Sequence, residues 1–242
     1  KGLEIHYDGD LPSKSGMGSS SSFSVGLIKA YNEFTKKNLT TKKLAFDSIN
    51  LEHKILKEAV GCQDQVAAAY GRFNSIKFLK KKFILKKFDI NKRYFKRLNN
   101  NLILIYTGEQ RYAHEVVNTF ITKLNSSKEK HIIKILEHVN LAKKIISQEN
   151  LDDFGYLLNE TWLEKKKISP IISNKKIDEI YSLGIKNGAL GGKLLGAGNG
   201  GFLLFYVPVK NQSKFINKFK KFIRVNFNFS DKGSQVIYNN EN

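Results

Sequence analysis

Strand-like and helical segments follow one another along this chain in an order that predicts a mixed α/β or α+β protein of two domains. Three observations carry the prediction. An apolar run, Leu102-Ile-Leu-Ile-Tyr106, reads as a buried strand and follows Asn99-Asn-Asn101, a plausible junction that divides the chain into 1–100 and 101–242. Helical periodicity dominates from about 112 to 187. After that the pattern alternates again, through a glycine-rich segment, a strand, a basic helix and a last strand.

Taken in order, Gly2-Leu-Glu-Ile-His-Tyr7 alternates as a strand does, and a loop runs from Pro12 to Gly18. A helix is expected from Ser19 to about Lys37, with Val25, Leu27, Ile28 and Tyr31 along it. Thr40 or Thr41 caps the next, over roughly 41–60. A short Ala-rich helix covers 63–70, and β-like stretches follow at 74–79 and 83–88. The long helical region breaks near Asn125-Ser126, Asn150 and Ser169-Pro170. The end reads as a glycine-rich segment 188–201, a strand 202–207, a basic amphipathic helix around 211–225 and a strand near 234–238.

Composition narrows the class. Of 242 residues 41% are hydrophobic and 12% aromatic, which fits a packed globular chain. A single cysteine, Cys62, excludes an internal disulfide and fits a reducing, cytoplasmic compartment. No run approaches the roughly 18 apolar residues of a membrane span, and no signal-peptide pattern opens the chain, so no membrane partner is expected. The formal charge of +19 suits anionic small molecules such as ATP and phosphorylated sugars. Its lysines recur along the whole chain without a zinc-finger or RNP-like motif, so nucleic acid is not the expected partner. The five histidines lack zinc-like spacing.

The most informative segment is Pro12-Ser13-Lys14-Ser15-Gly16-Met17-Gly18-Ser19-Ser20-Ser21-Ser22. Glycines allow close backbone approach to a ligand, and the serines open a helix whose free N–H groups and dipole favour phosphate. A serine hydroxyl is also a hard oxygen ligand for Mg²⁺. The bland alternative is a Ser-rich turn with an ordinary cap. A Walker A loop is excluded because Gly18 is followed by serine rather than lysine, and the protein-kinase signatures are missing. Downstream, Gly196-x-Gly198-x-x-Gly201 spells a dinucleotide fingerprint, but a strand-like run follows it where a helix is required.

These segments resemble the GHMP kinases, named for galactokinase, homoserine kinase, mevalonate kinase and phosphomevalonate kinase. The first matches the family's second motif, Pro-x3-Gly-Leu-Gly-Ser-Ser-Ala, with Met17 for leucine and Ser21 for alanine. Lys193-Leu-Leu-Gly196-Ala-Gly198-Asn-Gly200-Gly201 matches the third, Lys-x2-Gly-Ala-Gly-x-Gly-Gly. Between them lie Glu52 and, twelve residues on, Asp64 in Gly61-Cys-Gln-Asp-Gln65. Read locally, Glu52 is a solvated helix residue and Asp64 a helix cap.

The resemblance implies an α+β fold: the remainder of a ribosomal protein S5 domain 2-like N-terminal domain, and a ferredoxin-like α/β sandwich after it. It implies that Pro12 to Ser21 bind ATP, that Ser20 and Glu52 hold Mg²⁺, and that Asp64 contacts the hydroxyl being phosphorylated. The loop of the third motif is expected over the active site, with Gly196, Gly198 and Asn199 toward the substrate. Thr107-Gly-Glu-Gln-Arg111 looks like sugar-1-kinases acting on heptose 7-phosphate and their fucokinase relatives. The reaction so implied is transfer of the ATP γ-phosphate to the anomeric hydroxyl of D-glycero-D-manno-heptose 7-phosphate, with Arg111 for the sugar's phosphate. Another small-molecule kinase of the family, or a noncatalytic protein of the same fold, are the alternatives. The family's first motif has no counterpart here and the chain opens on Lys1, which reads as a fragment or processed chain. On that reading the polypeptide alone is expected to be inactive or weakly active.

Overall fold

The computed structural model describes residues 2–11, 15–80, 82–88, 90–110 and 126–240. The first half is helical with one hairpin. Helices α1 (Ser19–Phe34), α2 (Thr41–Asn50) and α3 (Gln63–Tyr70) pack around Val25, Leu44, Ala45, Val66 and Ala69. The antiparallel pair β1 (Asn74–Leu79) and β2 (Lys82–Lys87) closes this cluster through Phe83. Thr40 caps α2 as expected, its Oγ1 accepting from the Lys43 N–H at 3.2 Å.

The second half is built on a four-stranded antiparallel sheet. Strands β3 (Leu102–Tyr106), β4 (Gly191–Leu194), β5 (Phe202–Tyr206) and β6 (Arg224–Val225) lie in the order β4-β5-β3-β6. Leu102 pairs with Tyr206 and Tyr106 with Phe202. Both central strands are apolar at nearly every position because both faces of the sheet are covered. Ile103, Ile105, Leu203 and Phe205 meet α7 (Lys175–Lys186), α8 (Val209–Lys218) and Trp162. Leu102, Leu204 and Tyr206 meet α4 (Lys92–Asn100), Ile146 of α5 (Ser126–Ser147) and Leu151 of α6 (Leu151–Ile168). The breaks expected at 150 and 169–170 are the points where α6 begins and ends, and Asn125 lies outside the described residues.

Three expectations differ from the structure. Residues 2–9 form no strand: Leu3, Ile5 and Tyr7 are each more than half exposed, and no neighbouring strand among the described residues offers them a ladder. The stretch 234–238 is extended chain with one backbone bond, Ser234 N–H to the Ala68 carbonyl at 2.9 Å, so it lies on α3 rather than in a sheet. The helix expected over 211–225 stops at Lys218, and β6 takes up Arg224–Val225. After β6 the chain returns to the first half. There Phe229 stacks on Phe95 at 4.5 Å, and the Arg72 N–H reaches the Ser230 carbonyl at 2.9 Å. Among the described residues no helix is long and apolar enough to cross a membrane.

One buried ion cluster joins α5 to α6. The Glu164 carboxylate accepts from Lys167 at 2.9 Å and His131 at 2.7 Å, with Lys134 at 3.3 Å. Those donors, Lys167 foremost and then His131, hold its carboxyl down at about 2, against burial. A lowered folded value means stability present above the ordinary 4.5 and lost as pH falls from 4.5 toward 2. Glu164→Gln is therefore expected to lower unfolding free energy by about 2–3 kcal/mol at pH 7 and to flatten the acid slope. Urea titrations at pH 7 and below pH 3 check both.

Candidate active site

The loop 15–18 delivers the chain into α1 through Gly18, whose φ of 72° is open to glycine at little strain. The Ser22 N–H makes the first helical bond, to the Gly18 carbonyl at 2.9 Å, and no side chain caps the end. The N–H groups of the first turn thus face outward without an internal side-chain partner, the arrangement that receives phosphate. Pro12, Ser13 and Lys14 lie outside the described residues.

Glu52 reaches this helix from behind. Helix α2 runs on into a π-helical turn, Leu51–Ile55, with the Leu56 N–H on the Leu51 carbonyl at 2.9 Å. The widened turn points Glu52 inward, where it is fully buried. Its Oε2 accepts from Ser21 Oγ at 3.1 Å and from Gln65 Nε2 at 2.6 Å. Its Oε1 accepts from no described residue. Ser21 is therefore the hydroxyl that meets Glu52, while Ser20, one residue and about 100° around the helix, is exposed on the loop side. A buried carboxylate with one oxygen orphaned, near an exposed serine, suits Mg²⁺, which takes oxygen ligands and keeps several waters.

Asp64 stands in the first turn of α3 against the phosphate loop. A Cβ added at Gly18 would meet the Asp64 Cγ at 3.1 Å, so the carboxyl abuts the loop itself. Burial first, then the negative charge of Glu52, push the Asp64 carboxyl above its ordinary range. The same two causes raise the thiol of Cys62, two residues away.

The second glycine loop closes onto the first. Gly201, at φ 97°, lies so close to Ser15 that a Cβ there would stand 1.9 Å from the Ser15 carbonyl oxygen. Its N–H reaches the Glu109 carbonyl at 2.8 Å, and its carbonyl accepts from Thr107 Oγ1 at 2.8 Å. Lys176 pairs with the Glu109 carboxylate at 2.6 Å. Asn199 is held through its N–H to the Ile172 carbonyl at 2.7 Å, and its Oδ1 accepts from Asn174 at 3.0 Å. Lys165 donates to the Gly196 carbonyl. Gly18 and Asp64 thus meet, Ser21 joins Glu52, and Gly201 meets Ser15 although about 180 residues separate the two glycine loops, while Gly196, Gly198 and Asn199 contact Lys165, Ile172 and Asn174 instead. Arg111 lies outside the described residues. Gln65, Thr107, Glu109 and Asn174 support the site without having been singled out as site residues. Gln65, Thr107 and Glu109 lie in segments quoted for their neighbours, and Asn174 carried no local signal.

Comparison with known proteins bears on the family. Residues 1–72 match the family model described as GHMP kinases N terminal domain, and residues 141–224 match GHMP kinases C terminal. The D-glycero-alpha-D-manno-heptose 7-phosphate kinase of Campylobacter jejuni is 32% identical over 96% of this chain and 69% of that protein. The mevalonate kinase of Methanocaldococcus jannaschii is 30% identical over 91% of this chain and 66% of its own length. A Campylobacter jejuni crystal structure, assigned as a sugar kinase, superposes with a TM-score of 0.74 at 31% identity, covering 93% of this chain and 65% of that one. The chain therefore spans about two thirds of the length of the proteins it resembles.

Proposed function

This chain belongs to the GHMP kinases, and from that premise we propose that it is an ATP-dependent sugar kinase. Its acceptor in this reading is the anomeric hydroxyl of D-glycero-D-manno-heptose 7-phosphate, giving the 1,7-bisphosphate. The observation that carries the proposal is the Asp64 carboxyl abutting Gly18 at the mouth of an uncapped helix. A base and a phosphate cradle in contact are what transfer to a hydroxyl requires.

The residues divide the work. Loop 12–18 and the first turn of α1, Ser19 to Ser21, hold the triphosphate. Asp64 accepts the proton of the sugar hydroxyl as its oxygen attacks the γ-phosphorus. The P–O bond to ADP breaks, and the electron pair leaves on ADP. Glu52 and Ser20 would hold Mg²⁺, which when bound neutralises phosphate charge. Ser21 and Gln65 keep Glu52 in place. The glycine loop 196–201 excludes water over the transferring group, with Gly196, Gly198 and Asn199 nearest the sugar. Arg111 remains the candidate for the sugar's own phosphate.

Similarity to the Campylobacter jejuni enzyme over nearly the whole chain supports the heptose reading. Similarity to a mevalonate kinase supports a second, that the acceptor is another small alcohol. ADP release with ATP, Mg²⁺ and a panel of heptose 7-phosphate, fucose, galactose and mevalonate separates them. Turnover on the heptose phosphate at least tenfold above the rest is expected. A preference for any other member overturns the substrate assignment.

The raised Asp64 carboxyl sets a pH dependence. Only its ionised form accepts a proton, so turnover falls as pH drops through a value above the ordinary 3.8 of an aspartate. A kcat profile whose acid limb lies at or below 3.8 contradicts this role.

A further inference from the structure

The donors around Glu52 are distributed unevenly. Both Gln65 Nε2, at 2.6 Å, and Ser21 Oγ, at 3.1 Å, converge on the same oxygen, Oε2. Glu52 Oε1 accepts from neither, and Gln65 Oε1 also lacks a donor. Both side chains are at 0% exposure. Buried acceptors are ordinarily paired, and an amide placed only to satisfy a core carboxylate would explain its N–H but not its carbonyl. Two acceptor oxygens, on hydrogen-bonded side chains and both without donors among the described residues, point to a positively charged or water-bearing occupant beside them. Ser15 Oγ, in the loop itself, is also buried and without a partner among the described residues.

We propose that Gln65 is the positioning residue of the cation site. Its amide N–H engages one Glu52 oxygen, so that the other is presented to a divalent cation. Its own carbonyl accepts from the cation's water shell. The inference rests on the kinase reading above, since it takes Glu52 as a cation ligand. Groups that orient a metal ligand and its waters typically change metal affinity 10–100-fold when removed.

The test uses Mn²⁺ as probe, its affinity for the protein–ADP complex read by electron paramagnetic resonance, with metal-free ADP affinity measured in parallel. Gln65→Leu is expected to weaken Mn²⁺ binding about 10–100-fold while ADP affinity without metal stays within a factor of about two. Gln65→Met, unbranched and nearer in shape, serves as second variant if leucine lowers the melting temperature. Glu52→Gln is the reference and is expected to lose Mn²⁺ more severely than either. Unchanged Mn²⁺ affinity in a folded Gln65 variant, with loss in Glu52→Gln, overturns the role of Gln65 alone. Unchanged affinity in Glu52→Gln overturns the cation site and the kinase reading with it.

Discussion

Asp64→Asn is expected to lower phosphotransfer turnover by about 10²–10⁴-fold, the usual contribution of a positioned base, while the protein melts no lower than the parent. The two halves of this expectation have one cause. The carboxyl lies buried beside Gly18 and near the charge of Glu52, so its ionised form is disfavoured in the folded state. A folded value raised above the unfolded one means the native protein holds its proton more tightly. Stability is then fully present below the ordinary 3.8 and declines as pH rises through the folded value. Asparagine keeps the shape and removes the charge, so that decline disappears along with the base. ADP release and a thermal melt at pH 7.5 measure both. A variant that keeps full turnover removes Asp64 from the chemistry, and one that unfolds makes its role structural.

Gly201→Ala is expected to lower kcat/KM on the order of 10²-fold and to destabilise the fold by about 1–3 kcal/mol. An alanine there adopts φ near 97° with strain, and its Cβ would stand 1.9 Å from the Ser15 carbonyl oxygen. Thr107 and Glu109 hold Gly201 from the other side, so it does not move aside freely. The displacement is therefore passed to Ser15 and the phosphate loop, where an error of about 1 Å is enough for that loss. Gly26→Ala provides the contrast. Gly26 lies within α1, nothing stands within 4 Å of an added Cβ, and a gain of about 0.5–1 kcal/mol with unchanged kinetics is expected.

Much of the fold was legible because burial writes itself into composition. The pentads 102–106 and 202–206 are apolar on both faces, as strands covered on both sides must be. Helix α4 was not anticipated: Lys92, Arg93, Lys96 and Arg97 obscure an anchor of only two buried residues, Tyr94 and Leu98, spaced for one helix face. The stretch 2–7 shows the opposite failure. Alternation of Leu3, Ile5 and Tyr7 signals a face but says nothing of whether a neighbour exists to receive it.

The site was legible at the level of motifs and opaque at the level of phase. Glycine and serine content brought the two loops forward, and the family resemblance brought Glu52 and Asp64. Whether Ser20 or Ser21 meets Glu52 depends on where α1 begins, and a shift of one residue turns the side chain by about 100°. The resemblance implied that the third motif's loop contacts the second's, but not that Gly201 and Ser15 make the contact. Gln65 drew no notice because its partner is a glutamate thirteen residues back, on another element.

The central claim is that the uncapped start of α1, with Glu52 behind it and Asp64 beside it, receives the phosphates of a nucleotide. A crystal structure with ADP and Mg²⁺ tests it most directly. Phosphate oxygens within hydrogen-bond reach of the Ser19–Ser21 N–H groups, with Mg²⁺ on Glu52, are the predicted result. A nucleotide bound elsewhere, or a loop 15–18 left empty at saturating ADP, would contradict it.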